Sequence, residues 1–84
     1  MTFTVDYQQM SFEQLRRQLL QETGLTVMID PKDQPTAPLT LQMKDATMAA
    51  IFTEITRQTG VPWMPMLGGA IFTRNPPKGP TPPR

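Results

Sequence analysis

The chain has no cysteine and no histidine among its 84 residues. Without these side chains it cannot form a Cys/His zinc site, a thiol redox motif or a nucleophile paired with an imidazole base. The missing cysteines do not indicate a compartment, because they suit a cytosolic protein and equally a periplasmic protein that avoids disulfides. We therefore expect no cofactor and no metal site built from these side chains.

Aromatic and charged residues are also few, at 7% and 18% of the chain, whereas 38% of the residues are hydrophobic. This composition is lean for a globular protein but too apolar for wholesale disorder. A chain of this length has room for one core. Five of the ten prolines lie in the last nine residues, where no other apolar side chain occurs. We predict one domain over residues 1–75 and an extended Pro-rich tail or linker over residues 76–84.

Two halves of the domain match each other at an offset of 36 residues, without gaps. Each half has an alternating strand, a small polar helix cap, a helix with apolar residues at i, i+3 and i+7, a glycine stop and a second strand. The aligned pairs are Ser11 with Thr47, Leu15 with Ile51, Leu19 with Ile55, Thr23 with Thr59 and Gly24 with Gly60. The sequence therefore predicts a duplicated β-α-β unit.

The two helices are predicted at about residues 12–23 and 47–59. Ser11 and Gln14 form a capping box before the first helix, whereas Thr47 caps the second helix alone. The glycine after each helix supplies the left-handed residue that ends it. Both helices carry apolar arcs wider than the roughly 100° that packing on one sheet requires. We expect each helix to be covered on two sides, with the arcs widened by Leu20, Ala49 and Phe52.

Five strands complete an α+β fold with the order β-α-β-β-α-β-β. They are predicted at residues 3–7, 25–30, 39–44, 61–67 and 70–74. The last two flank Gly68-Gly69, which is a strong hairpin signal. Pro62 and Pro65 cannot donate to a ladder, so the first hairpin strand should lie at a sheet edge or stay irregular.

The net charge of +1 comes from Lys78 and Arg84 in the tail, because residues 1–75 hold six basic and seven acidic side chains. A slightly acidic domain lacks the basic footprint of nucleic-acid-binding proteins. A small nucleic-acid-binding α/β domain is the alternative, since the element order is similar to that of the RNA-recognition motif. That motif needs exposed strand aromatics, whereas Phe3 and Tyr7 alternate onto the predicted core face.

Asp30 and Asp33 are the closest pair of carboxylates in the sequence. Such a pair can be a weak oxygen-ligand site for a cation or an acid/base pair. A strand-end turn with Pro31, held by side-chain-to-backbone hydrogen bonds, explains the same residues. We favour the turn.

Methionine carries the strongest functional signal. Met28, Met64 and Met66 alternate opposite to inward-facing residues, so they are predicted to point outward as an apolar patch for protein contact. A second core layer under the hairpin is the competing interpretation. Two further candidate contact elements are the strand edge after Gly68-Gly69 and a polar helix face formed by Arg16, Arg17 and Gln21.

Three segments together resemble a known family. They are residues 3–15, a strand and connector before a Leu-bearing helix; residues 21–31, which contain a "G-L-x-V-x-x-D-P"-like strand; and residues 39–63, which repeat the pattern. Over about residues 3–74 the chain is similar to the short N-terminal domain shared by bacterial secretins and TonB-dependent signal-transducing receptors. Pro62 and Pro65 depart from the family's regular penultimate strand.

The resemblance implies two helices between a three-stranded and a two-stranded sheet, and a non-catalytic, periplasmic role with no active-site residues. In secretins such domains contact inner-membrane platform components or secretion substrates, and in receptors they signal to an anti-sigma regulator. C-terminal domains of some anti-sigma regulators share the pattern. We therefore expect a periplasmic protein–protein interaction module of an outer-membrane channel or receptor, which is brought into a ring where its parent protein forms one.

Overall fold

The computed structural model, which describes residues 1–75, contains two helices and five strands in the predicted order, so the predicted α+β fold is confirmed. The elements are β1 (Phe3–Met10), α1 (Phe12–Thr23), β2 (Thr26–Ile29), β3 (Leu39–Ala46), α2 (Met48–Thr59), β4 (Trp63–Met66) and β5 (Gly69–Phe72). The Pro-rich tail predicted for residues 76–84 lies outside the described residues.

α1 spans the predicted residues, whereas α2 begins at Met48, one residue after the predicted start, because Thr47 is its cap. The Ser11 hydroxyl accepts a hydrogen bond from the Gln14 amide at 3.2 Å, and the Gln14 side chain accepts one from the Ser11 amide at 3.1 Å. Thr47 caps α2 alone by accepting from the Ala50 amide at 3.1 Å. A left-handed glycine ends each helix. Neither helix, in the part of the chain that the structure describes, is long and apolar enough to cross a membrane.

The helices lie between a two-stranded and a three-stranded sheet. β1 and β3 pair antiparallel, and the second sheet has the order β2-β5-β4, with β5 parallel to β2 and antiparallel to β4. The Pro-containing strand β4 therefore lies at an edge, as predicted. The strand edge expected after Gly68-Gly69 was wrong, because β5 is the central strand and is paired on both sides. α1 contacts β1 and β2, and α2 contacts β3, β4 and β5, so each helix is covered on two sides.

Burial on two sides explains only part of the width of the apolar arcs of the two helices. Phe52 is fully buried and does extend the core face of α2. The prediction for Leu20 and Ala49 was wrong, because Leu20 is 45% exposed and Ala49 is exposed as well. Two-sided burial of these helices therefore rests on a few large side chains.

The internal repeat is visible as a pair of matched irregularities. Gln9 in β1 and Asp45 in β3, which are 36 positions apart, both have a φ of 52°. The Gln9 amide donates to the hydroxyl of Thr40, and the Asp45 amide donates to the hydroxyl of Thr4, both at 3.2 Å. Since Thr4 and Thr40 are also 36 positions apart, each half supplies the same hydrogen bond to the other. The two halves are thus related by a pseudo-two-fold arrangement.

Three phenylalanines join the two halves at the centre of the core. Phe72 of β5 makes edge-on contacts with Phe12 of α1, at a centroid distance of 5.9 Å, and with Phe52 of α2, at 6.0 Å. Such pairs contribute about 0.5–1.5 kcal/mol beyond the area they bury. β5 is not part of the repeat. It contacts both repeated units through Phe72 and therefore stabilises their association.

Tyr7, the single tyrosine of the chain, should ionise only at strongly alkaline pH. Burial, and next the hydrogen bond that its hydroxyl donates to Glu22 at 3.0 Å, raise the pKa of this phenol well above its usual value of 10. Because folding raises the pKa of Tyr7, the phenol contributes to the free energy of unfolding. This contribution is complete below the pKa of the unfolded state and is lost as pH rises through the pKa of the folded state.

An absorbance titration near 295 nm should therefore show delayed phenolate formation in the native protein and formation near pH 10 in urea. Tyr7→Phe should remove the titration step and flatten the loss of stability above pH 10. A native protein that titrates near pH 10 while still folded would contradict the burial of Tyr7 and its hydrogen bond to Glu22.

Candidate protein-interaction surface

The outer surface of the three-stranded sheet is apolar. Cross-strand neighbours point to the same face of a sheet. In the observed register Met28 of β2 lies opposite Ile71 of β5, and Ile71 lies opposite Met64 of β4, so one apolar row crosses all three strands. Met66 lies one step along the same face, opposite Gly69. We call the surface formed by Met28, Met64, Met66 and Ile71 the apolar face.

The apolar face points away from the helices. The residues that alternate with it, Val27 and Phe72, are buried in the core, and Trp63 packs on Phe52 at a centroid distance of 5.2 Å. None of the four side chains of the apolar face is among those that pack against the core. The prediction that the three methionines point outward therefore agrees with the strand register, and within residues 1–75 no second core layer covers them.

The other sheet has a polar outer surface. Its outward-facing residues alternate with the buried Val5, Tyr7 and Leu41, and they include Asp6 and Gln42, whose side chains hydrogen-bond to each other across the strands at 3.1 Å. The two sheets of one small domain thus differ sharply, one being solvated in the usual way and the other apolar.

Exposure is graded across the apolar face. Met28 is 49% exposed, whereas Met64, Met66 and Ile71 are half-buried by their neighbours. Leu67, in the hairpin turn at the corner of the sheet, is 97% exposed. An unbranched thioether side chain adapts to irregular partner surfaces, so the methionines suit contact with another protein. Sequence reasoning missed Ile71, although its alternation with Ala70 and Phe72 was the signal that could have found it.

Comparison of the chain with family models, with curated proteins and with solved structures gives no significant match. The functional interpretation therefore rests on the sequence resemblance and on the geometry of the molecule.

The polar helix face predicted from the sequence is divided by the fold. Arg16 lines a depression of about 280 Å³ beside Met28, so it borders the apolar face. Arg17 and Gln21 instead line a separate groove of about 470 Å³ between α1 and β1. The structure thus brings Arg16 together with the methionines and places Arg17 and Gln21 at another surface.

Both arginines of this face are held by Glu13. Arg16 donates to the Glu13 carboxylate at 3.1 Å and Arg17 at 3.2 Å. Hydrogen bonds from Arg16, and next from Arg17, lower the pKa of Glu13 to about 2. The carboxylate is therefore ionised at any physiological pH, and it offsets part of the positive charge that these side chains present to a partner.

Asp30 and Asp33 form the strand-end turn favoured by the sequence. Asp30 accepts from the Lys32 amide at 3.1 Å and begins a short 3-10 turn over Pro31–Asp33. Asp33 is buried and accepts from the Arg74 backbone amide at 2.9 Å and from its guanidinium at 3.3 Å. The Asp30 carboxylate also accepts from the Thr73 hydroxyl at 3.4 Å, so both carboxylates hold the segment after β5 against the loop after β2. No group of three acidic side chains gathers anywhere in residues 1–75.

The nucleic-acid alternative gains no support from the strand aromatics. Tyr7 is 2% exposed, and Phe3 is partly buried against the core. Base stacking requires an aromatic ring on an open sheet surface. Neither ring is on the outer face of its sheet.

Proposed function

We propose that this domain is a non-catalytic, periplasmic protein–protein interaction module of a secretin-type outer-membrane channel or of a TonB-dependent signal-transducing receptor. The partner is a protein of the cell envelope, namely an inner-membrane platform component, a secretion substrate or an anti-sigma regulator. Support comes from the sequence resemblance and from the fold, since two helices between a three-stranded and a two-stranded sheet are what the resemblance implies.

The observation that carries the interaction role is the apolar face. A domain of this size normally exposes single hydrophobic side chains and not a row across three strands. The row formed by Met28, Ile71 and Met64 is continuous in the register, and no charged residue interrupts it. Burying it against an apolar partner surface releases water, which is the main driving force of protein association.

The apolar face is too small to form a stable protein interface by itself. Three strands about 4.8 Å apart and four residues long cover roughly 200 Å². A stable interface buries about 800 Å² on each partner. The apolar face is therefore the central anchor of a larger contact whose rim includes polar neighbours such as Arg16, and it is too small to hold two copies of the domain together alone.

A photo-crosslinking residue placed at Met28 in the full chain, expressed in its native host, should capture an envelope protein. The same residue placed at Gln42, on the polar sheet, is the matched control and should not capture it. The captured protein is then purified and titrated into the isotope-labelled full chain. Amide shifts are expected at residues 28, 64, 66 and 71. Capture of equal amounts at both positions, or shifts confined to other surfaces, would contradict the proposal.

Met28→Lys should weaken binding of that partner at least about tenfold while changing the free energy of unfolding by less than about 0.5 kcal/mol. The lysine ammonium stays hydrated in the free domain but loses its water inside an apolar interface. Gln42→Lys adds the same charge to the polar sheet and should bind normally. Affinity follows from calorimetry and stability from urea unfolding. A Met28→Lys protein that binds as tightly as the wild type would remove the apolar face from the interface.

A further inference from the structure

The open edges of the two sheets are not equally protected. Unpaired edge strands attract other strands, and proteins usually block them with proline, charged side chains or covering segments. β4 carries Pro65 within the strand and Pro62 just before it. β3 is covered by a side chain of α2, that of Gln58. The edge of β1, one of the two longest strands of the domain, has neither a proline nor a covering side chain, although Asp6 lies within the strand.

Gln58 of α2 closes the edge of β3. Its side-chain oxygen accepts from the Thr40 amide at 3.1 Å, and its side-chain nitrogen donates to the Thr40 carbonyl at 2.6 Å. The carboxamide therefore occupies both backbone groups that an added strand would use. It imitates one rung of a β-ladder.

The contact between Gln58 and Thr40 also shows which backbone amides and carbonyls of β1 point away from β3. Because the backbone groups of Thr40 point to Gln58, alternation along an antiparallel strand directs those of Gln42 away from β1 as well. Gln42 is paired with Asp6, so the amide and carbonyl of Asp6 point to the open edge of β1. By the same alternation, the backbone groups of Thr4 and Gln8 do so too.

The internal repeat explains why this edge is left open. The position equivalent to Gln58 in the first half is Glu22, which is 36 residues earlier. A carboxylate has no hydrogen to donate to a carbonyl. Glu22 instead accepts from the Tyr7 hydroxyl at 3.0 Å and from the Gln18 side chain. Among residues 1–75 no side chain hydrogen-bonds to the backbone of Thr4, Asp6 or Gln8.

A groove lined by side-chain amides runs beside this edge. It has a volume of about 470 Å³ and lies between the end of β1 and the exposed face of α1. Gln8 and Gln9 line one side, and Gln14, Gln18 and Gln21 line the other. Carboxamides both donate and accept hydrogen bonds, so this lining suits uncharged polar side chains. The groove contains no carboxylate, and Arg17 is its one charged residue.

We propose that the open edge of β1 binds an extended segment of a partner protein by β-strand addition. The added strand continues the two-stranded sheet and turns uncharged polar side chains, hydroxyl or amide, toward the amide-lined groove. This site lies on the sheet opposite to the apolar face and makes the domain bivalent. It goes beyond the proposed function, because it requires neither the apolar face nor any particular cellular location.

The experiment titrates a short synthetic peptide, in which valine alternates with threonine, into the isotope-labelled full chain. Amide shifts and slowed hydrogen exchange are expected at Thr4, Asp6 and Gln8. A second peptide of the same sequence carries N-methyl groups on alternate residues, so that one of its edges lacks donors. It should bind at least about tenfold more weakly, because the ladder hydrogen bonds are lost. Equal affinity of the two peptides, or no binding at millimolar concentration, would overturn the proposal.

Two reciprocal variants use the repeat as a control. In Glu22→Gln the new carboxamide of α1 should close the edge of β1, as Gln58 of α2 closes the edge of β3. Peptide binding should then weaken several-fold. The oxygen of the new side chain can still accept the hydrogen bond from the Tyr7 hydroxyl. Gln58→Glu should open the edge of β3 and add peptide-dependent shifts at Thr40 and Gln42. Met28→Lys should leave peptide binding unchanged, which separates this site from the apolar face. If Glu22→Gln is folded and binds the peptide as tightly as the wild type does, the peptide does not bind at the edge of β1.

Discussion

Gly69→Ala should destabilise the domain by more than about 3 kcal/mol, which is a large part of the stability expected for about 75 residues. A β-carbon at Gly69 would lie 1.7 Å from the carbonyl oxygen of Thr26 and 2.6 Å from its carbonyl carbon. These are backbone atoms of the paired strand β2, which cannot rotate away as a side chain would. Since β5 is the central strand of its sheet, the added methyl group should separate β2 from β5.

Gly68→Ala is the matched control, because it changes the neighbouring residue in the same turn. Gly68 has a φ of +80°, but a β-carbon there meets no atom within 4 Å. Its replacement should cost only the roughly 1–2 kcal/mol of a left-handed residue with a β-carbon. Urea unfolding followed by the fluorescence of Trp63, the single tryptophan, gives both values. Equal midpoints for the two variants would mean that the close approach to Thr26 does not exist in solution.

The local signals in the sequence predicted the helices almost completely. Caps, glycine stops and apolar spacing act over three or four residues, so they can be read directly from the chain. The strand positions were right but their ends were not. β1 continues to Met10, beyond the predicted end at Tyr7, because a bulge at Gln9 lets pairing with β3 resume after an irregular step. A bulge depends on the partner strand and leaves no periodic signal in its own sequence.

Strand partners could not be derived from the pattern. Hydrophobic alternation says which residues face the core, but it does not say which strand lies beside which. The first strands of the two halves pair with each other, and β5 inserts between the two second strands. These contacts join residues far apart in the chain, and their free energy comes from packing around the phenylalanine cluster and not from local propensity.

Only part of the candidate site could be predicted, because the pattern of the sequence does not show which strands are neighbours. Alternation placed Met28 and Met64 outside, but only the register shows that Ile71 lies between them as one row. The helix residues Arg16 and Arg17 are neighbours in sequence, yet they line different depressions, since adjacent helical residues do not face the same way. The open edge of β1 became visible only through the contact that Gln58 makes and Glu22 cannot.

Phe72→Ala should cost about 3–5 kcal/mol, because it empties a core position whose ring contacts both repeated units. Phe72 is fully buried, and its ring contacts Phe12 in the first half and Phe52 in the second. Small domains have stabilities of about 0.05–0.15 kcal/mol per residue, which is about 4–11 kcal/mol for about 75 residues, so the substitution should remove a large part of the stability. The loss should be cooperative, since β1 of the first half pairs with β3 of the second and both halves share one core.

Phe72→Leu keeps an apolar side chain in the same place and should cost less than Phe72→Ala, about 1–3 kcal/mol for the two lost aromatic pairs. Comparing the two variants by urea unfolding separates the loss of volume from the loss of the aromatic contacts. If the two halves were independently stable, Phe72→Ala would show two unfolding transitions, one reported by Trp63 in the second half and one by the absorbance of Tyr7 in the first. A single early transition seen by both residues is the result expected from a core in which β5 joins the repeat into one folding unit.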